Sequence, residues 1–400
     1  MKPRERAWKA ISHEEPDMVP LFETCIAPSV AEKIMGRTPV YYNVKLILEM
    51  LAKGVPLEKI EEMAVRDVID LFYKKLRLDV IFATPFGLSL WDFVGVASGF
   101  GGLINGAVDQ THEPRVKHLG GDQWQINDFQ YKFLPESNML VPDPPFVSTP
   151  DQVTKFIDEH SREIERPVWG GPNPKILKEL GDELLLIGGA GKLGGFEQWE
   201  IRHLLPWLYT HPEVVRRVVE FEARNCINNI RFQSEMGIEM FIVDADWGYR
   251  HGPFMSLKHF RDIWYPALKS VADAAHKKAA LLILHSDGNI NLLLEDIIRA
   301  GIDGLHAIEP GAGMDIKNIK DKFGDRIFLL GNIDISYPLT FGTVDETVEA
   351  VKSCINAAAP GGGHILCSAN GIHPGVKPEN YVAMCKSARR YGKYPRLSSS

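Results

Sequence analysis

Eight short apolar runs recur along the chain, and small or polar residues follow each one. They lie at 19–22, 80–83, 184–187, 240–243, 281–284, 304–308, 327–330 and 364–367. A strand without polar alternation is buried on both faces, the signature of a parallel sheet covered by helices. Helical periodicity fills the gaps between the later runs, at 214–236, 257–278, 292–300 and 344–359. Thr343 and Glu346 before and inside the last of these have the spacing of a capping box. Strands alternating with helices predict an α/β chain folded as a (β/α)8 TIM barrel, with a doubly wound sheet as the alternative.

A chain of 400 residues is long for one domain, but barrels of this class reach such lengths. Residues 1–400 are therefore read as one barrel domain with two insertions. The first, near 26–77, is helical and polar. The second, near 112–150, begins with alternating residues around Gly120, Gly121 and Asp122, the pattern of a β-hairpin. It ends in a proline-rich link before a helix capped by Ser148 or Thr149.

The net charge is −7, and no basic stripe is present, so nucleic acid is not an expected partner. No apolar stretch is long enough for a membrane span, and the charged first residues do not read as a signal peptide. The five cysteines are scattered without C-x-x-C spacing, which suits reduced thiols in a cytoplasmic protein.

In a barrel the chemistry sits where strands end. The run at 281–284 ends in His285-Ser286-Asp287-Gly288-Asn289, and the next ends in Glu309. His285 and Asp287 share one side of an extended strand end, and Glu309 approaches from the neighbouring strand. A divalent cation needs such converging imidazole and carboxylate groups; the alternative is that His285 bonds Asp287 or backbone and holds nothing else. Asp244 and Asp246 form a second pair suited to acid–base work or to capping. Gly188-Gly189-Ala190-Gly191 permits close backbone approach but lacks phosphate-loop spacing. Trp199, Trp247, Tyr249 and Phe254 follow strand ends and either wall a substrate or simply pack. Asp244, Trp247, Asn332 and Asn370 are expected to line the substrate pocket. Cys367 lies inside a strand and reads as a buried thiol.

The ordered set of segments RERAWKAISHEEPDMVPLF, DADWGYRHGPFMSLKHFRDIWYPAL, ILHSDGNI, GIDGLHAIEP, LLGNID and GIHPGVKPENY resembles the uroporphyrinogen decarboxylase superfamily. The resemblance implies a (β/α)8 barrel with a deep pocket at the strand C-termini. It also implies one of two activities. True uroporphyrinogen decarboxylases carry an arginine-rich stretch after the first strand, whereas LFETCIAPSVAEKIMG here has no arginine. The other branch, corrinoid-dependent methyltransferases, binds zinc through His-x-Cys, in some members a Glu, and a late Cys. His285 and Glu309 match this pattern, while Asp287 and Asn370 stand where the cysteines would be.

The expected site is therefore a divalent cation, zinc in the related proteins, held by His285, Asp287 and Glu309. Without thiolates it should be weakly held and act as a harder Lewis acid. The expected activity is that of an O-demethylase component. It moves a methyl group from a small methylated substrate, such as an aryl methyl ether, to a corrinoid (cobalamin) on a partner protein. His285 is expected in catalysis, with Asp246 or Tyr249 protonating the leaving oxygen. A metal-free decarboxylase acting on a small carboxylated substrate is the alternative.

Overall fold

All eight apolar runs enter one parallel arrangement. The computed structural model describes residues 1–84, 93–94, 100, 104, 107, 113–160, 172–196 and 198–394. In chain order the strands are β1 (Val80–Phe82), β2 (Val116–Gly120), β3 (Gln123–Ile126), β4 (Phe129–Leu134), β5 (Met139–Pro142), β6 (Leu185–Lys192), β7 (Met240–Asp244), β8 (Gly248–Tyr249), β9 (Gly252–Pro253), β10 (Leu281–Ser286), β11 (Gly304–Ala307), β12 (Phe328–Leu330) and β13 (His364–Ile365). Seven of them form a parallel sheet in the order β1-β6-β7-β10-β11-β12-β13. The first apolar run supplies single parallel bridges instead of a regular strand. Phe22 pairs with Val80 at one edge of the sheet, and Leu21 pairs with Leu366 beyond the other. The doubly wound alternative does not account for one segment touching both edges.

Alternation along each strand separates two cores. Phe22, Val80, Leu185, Ile187, Met240, Ile242, Ile283, Phe328, Leu330, Ile365 and Cys367 cluster inside the curved sheet. Their neighbours in sequence, including Leu21, Ile81, Leu186, Phe241, Leu282 and Leu329, face the surrounding helices. Cys367 is a fully buried thiol, as expected. The helix Pro3–Ile11 closes the N-terminal end of the sheet, and its Ala7 and Ile11 join the inner cluster.

The later helices form where periodicity placed them: Pro212–Glu235, Leu294–Ala300 and Val344–Ala358, with a helix from Leu257 to Lys277 interrupted by a π-turn at Phe260–Trp264. The Thr343–Glu346 capping box is present. Thr149 caps the helix Pro150–His160: its hydroxyl accepts from Gln152 N (3.3 Å), and its own N–H donates to Gln152 Oε1 (2.8 Å). The first insertion contains the helices Pro28–Met35, Val44–Ala52 and Leu57–Val68. The second is larger than the expected hairpin: β2 to β5 form a four-stranded antiparallel sheet. The alternating residues run on through β4, beyond a two-stranded hairpin, and Val141 and Pro142 of β5 fall in the stretch read as a proline-rich link. Asn138 ties this sheet to the first insertion, donating to the Tyr42 carbonyl at 2.6 Å. Among the described residues, no helix is long and apolar enough to cross a membrane.

Candidate active site

The inward positions of three adjacent strands end in polar residues. Along β7 they read Met240, Ile242, Asp244; along β10, Leu281, Ile283, His285; and His306 takes the corresponding place on β11. In register, His285 pairs with Asp244 on one side and with His306 on the other. A layer of Asp244, His285 and His306 therefore sits above the apolar plug, at the C-terminal mouth of the sheet.

Just beyond this layer the chain leaves the strands. Asp246 Oδ1 accepts the Asp287 N–H at 2.9 Å, and Ser286 Oγ accepts the Trp247 N–H at 3.1 Å. These two bonds lock the β7 and β10 ends together. Gly288 has φ +73, and a Cβ there would collide with the Gly248 backbone, so the His285–Asn289 turn can press against β8 only as glycine. Its N–H donates to Glu309 Oε2 at 2.9 Å. Before Glu309, Ala307 and Ile308 both have positive φ, at 81° and 54°. Such a conformation in a β-branched residue costs about 1–3 kcal/mol and is held by its surroundings.

His285 Nε2 lies 3.7 Å from Asp246 Oδ1 and 3.8 Å from Asp287 Oδ1. Ligand-type atoms of Asp244, Asp246 and His285 all lie within 4.8 Å of one another. The expected ligand set of His285, Asp287 and Glu309 thus meets a different nearest group. His285 is common to both. Asp287 is beside it, but its Oδ2 accepts from the Asn370 amide, and Glu309 is engaged by Gly288. Two carboxylates and an imidazole are ligands a divalent cation accepts, and bond lengths of about 2.0–2.2 Å would require the group to contract around the ion. Asp287 Oδ1 is buried without a hydrogen-bond partner, an uncompensated polar atom facing this group. Burial, reinforced by Asp246, pushes the Asp287 carboxyl well above the ordinary carboxylate range. Burial and His285 together hold His306 well below the usual histidine range, so His306 is neutral.

The other expected pocket residues divide. Asn370 reaches the site through Asp287. Asn332 is buried and donates to the Ile308 carbonyl at 3.0 Å, bracing the turn before Glu309. Trp247 is fully buried, donates from Nε1 to the Leu193 carbonyl at 3.0 Å and packs on Phe260; it belongs to the core and not to a pocket wall. Trp199 stacks on His203, and Phe254 packs on Phe196. Tyr249 alone of these aromatics is exposed, at 47%, on the β8–β9 ribbon. A Cβ at Gly188 would strike Gln233 and Phe241, so this glycine serves helix packing; Gly189 faces open space.

Two residues escape a reading of the sequence. His306 lies inside an apolar run, and only its inward register distinguishes it. Glu23 follows the bridging residues Leu21 and Phe22 and is 1% exposed. Its Oε1 accepts from Ser368 Oγ at 2.8 Å and from Thr24 N at 3.1 Å, while Oε2 has no partner. Burial pushes its carboxyl from 4.5 up to about 8. The folded protein therefore holds a proton that the unfolded chain releases. This contribution is fully present below pH 4.5 and is lost as pH rises through about 8. Glu23→Gln removes the titration. Chemical denaturation across this range should show wild type losing a few kcal/mol more than the variant, since every tenfold difference in proton affinity between folded and unfolded chain is worth about 1.4 kcal/mol. Parallel pH dependences in the two proteins would contradict the buried acid.

A model of the uroporphyrinogen decarboxylase (URO-D) family matches residues 175–391. A uroporphyrinogen decarboxylase from Alkalilimnicola ehrlichii is 26% identical over 226 residues, covering 52% of this chain and 58% of that one. A methylcobamide:CoM methyltransferase, MtaA, from Methanosarcina barkeri is 24% identical over 220 residues, covering 54% of this chain and 62% of that one. The chain thus spans about three fifths of the length of these curated relatives. The solved structure of a methyltransferase from Methanosarcina mazei shares the fold, with a TM-score of 0.60 at 17% identity, over 98% of this chain and 99% of that one.

Proposed function

The chain belongs to the uroporphyrinogen decarboxylase family, and on that premise we propose that it is a methyltransferase of the corrinoid-dependent branch. It moves a methyl group from a small methylated substrate, an aryl methyl ether being the class we favour, to a corrinoid carried by a partner protein. One observation carries this reading: Asp244, Asp246 and His285 converge at the mouth with metal-ligand spacing. The relatives named methylcobamide:CoM methyltransferase support the corrinoid partner.

In the reaction the methyl–oxygen bond breaks with its electron pair passing to oxygen. The methyl carbon, left short of that pair, would be taken up by the reduced corrinoid of the partner protein, which acts as electron-pair donor and methyl acceptor. The departing oxygen then takes a proton. Asp244, Asp246 and His285 would hold a divalent cation, which would supply Lewis acidity toward that oxygen. We assign the proton to Asp287, whose buried carboxyl stays protonated beyond the ordinary range, in place of the sequence-based choice of Asp246 or Tyr249. Asp246 instead holds the Asp287 backbone, and Asn370 holds the Asp287 side chain. Tyr249 stands at the rim.

The decarboxylase alternative needs cationic groups for substrate carboxylates. Asp246 and Asp287 form no ion pair with a lysine or arginine among the described residues; their partner in such contacts is His285. Arg37, just after the arginine-free stretch, is committed to Asp67 at 2.5 Å and to Asp70 at 3.6 Å. The acids Asp244, Asp246 and Glu309 at the mouth disfavour a polycarboxylate. The test is an assay with aryl methyl ethers and a reduced corrinoid protein, following the cobalt spectrum, alongside carbon dioxide release from carboxylated substrates. Methylation that a mild chelator stops and added zinc restores is the expected result. Carbon dioxide release that is indifferent to chelation would sink the reading.

A further inference from the structure

The apolar layer outside the strands is broken by one acid. Leu21 faces the surrounding helices and Phe22 the inner cluster, so alternation turns Glu23 outward again, away from the inner cluster. Its Oε1 accepts from the Ser368 hydroxyl at 2.8 Å and from the Thr24 N–H at 3.1 Å, while Oε2 is buried without a partner. A leucine would fill the same place without stranding a polar atom. What the acid supplies beyond packing is the acceptor Oε1.

Ser368 stands where the ladder between the first and last segments of the sheet is interrupted. Leu21 pairs with Leu366 and Ile26 with Ile372. Phe22 to Cys25 lie between these pairs on the first segment and Cys367 to Gly371 on the last, so the last carries one residue more. The two segments cannot keep one register across that interval, and side chains hold it instead. The Ser368 hydroxyl, besides meeting Glu23, bonds the Asn370 carbonyl, and Asn370 Oδ1 accepts the Gly371 N–H at 2.6 Å. Ile365 and Cys367 face inward and Leu366 outward, so a straight strand would carry Asn370 outward as well. Its amide instead donates to Asp287 Oδ2, although β11 and β12 stand between β10 and β13 in the sheet. With Oδ2 so held, Oδ1 is the Asp287 oxygen 3.8 Å from His285 Nε2.

We propose that Glu23 is a positioning residue: through the Ser368 hydroxyl it fixes the turn at 368–371 and so aims the Asn370 amide across the mouth at Asp287. Glu23 touches neither substrate nor corrinoid in this role. It acts from the helix side of the sheet through a chain of three side chains, Ser368, Asn370 and Asp287. An extra residue in a strand next to an active site commonly re-aims a side chain, and here a buried acceptor pins the result. The expected effect on rate rests on the role proposed above for Asp287; the expected orientation of Asn370 does not.

The test uses the full chain and two readouts. The first is the side-chain amide resonance of Asn370, identified by its loss in Asn370→Ala. Glu23→Leu removes the acceptor and keeps the volume. It should shift that resonance toward the position of a solvent-exposed amide and speed its hydrogen exchange. Glu23→Gln keeps an acceptor oxygen and should restore the wild-type resonance. The second readout is methyl transfer from an aryl methyl ether to the reduced corrinoid protein. Glu23→Leu should lower kcat by about 10- to 100-fold, the scale for a displaced catalytic group, with KM unchanged. Glu23→Gln should recover most of that loss. Adding Glu23→Leu to Asn370→Ala should cost no further activity, because both changes act through one amide. An unchanged Asn370 resonance in Glu23→Leu overturns the proposal, as do additive losses in the double variant or a Glu23→Gln as slow as Glu23→Leu. If the wild type methylates no corrinoid, the functional reading fails and the resonance still decides the role of Glu23. Should Glu23→Leu not fold, Ser368→Ala removes the same link and carries the same expectations.

Discussion

His285→Ala lowers methyl transfer to the corrinoid protein by about 10²- to 10³-fold, the usual cost of losing one electrostatic stabiliser of a developing oxyanion. An ether oxygen is a poor leaving group, so the rate depends on charge stabilisation in the transition state. His285 is the imidazole of the converging group, and neither Asp244 nor Asp246 can replace its nitrogen. Its Nε2 also faces both Asp246 and Asp287, so its loss removes the imidazole that both acids meet. Phenolic ethers should suffer less than alkyl ethers, because a phenolate departs with less help. Circular dichroism and denaturation midpoint should stay near wild type, since the side chain lies above the apolar plug and not within it. Full activity in this variant would reduce the polar layer to a structural feature.

Asp79→Ala destabilises the protein by about 3–5 kcal/mol, the scale for breaking a buried ion pair by removing one partner. Asp79 is fully buried at the N-terminal end of β1. One carboxylate oxygen accepts from Arg6 Nη1 at 2.5 Å. The other meets Arg389 Nη2 at 2.9 Å and accepts the Leu21 N–H at 2.8 Å. It thereby joins the capping helix, the bridging first segment, β1 and the last helix. Arg6 also binds Asp17 through Nε at 2.6 Å, and these acids hold its guanidinium above its ordinary range despite burial. Removing Asp79 strands the buried charge of Arg6 and frees a backbone donor. Urea denaturation checks the size of the effect; a loss under about 1 kcal/mol would mean that solvent or Asp17 compensates. Activity per folded molecule should be unchanged, because the network closes the face opposite the mouth.

The contrast between these two residues bears on what a sequence reveals. His285 is legible from its place at the end of an apolar run, because burial on both faces is a local compositional fact. The same holds for Thr343, whose cap needs only the residue three positions on. The Asp79 network is not legible, since its members are 73 and 310 positions apart and nothing local marks them as partners. Trp247 misleads as a pocket residue for a related reason. Its position after a strand is correct, but whether the loop folds inward depends on the Leu193 carbonyl that its indole meets.

The eight apolar runs, their alternation with helices, and the gathering of acids and histidine at the strand ends are written in the residues alone. They follow from one-dimensional periodicity, which burial imposes on any strand or helix. Which of those acids stand together was settled in three dimensions. Strand order and register set Asp244 and His306 on either side of His285, and the chain's exit from β10 turns Asp287 toward Asn370. Register is a relation between segments, fixed by packing and ladder hydrogen bonds across the sheet, so no single segment contains it.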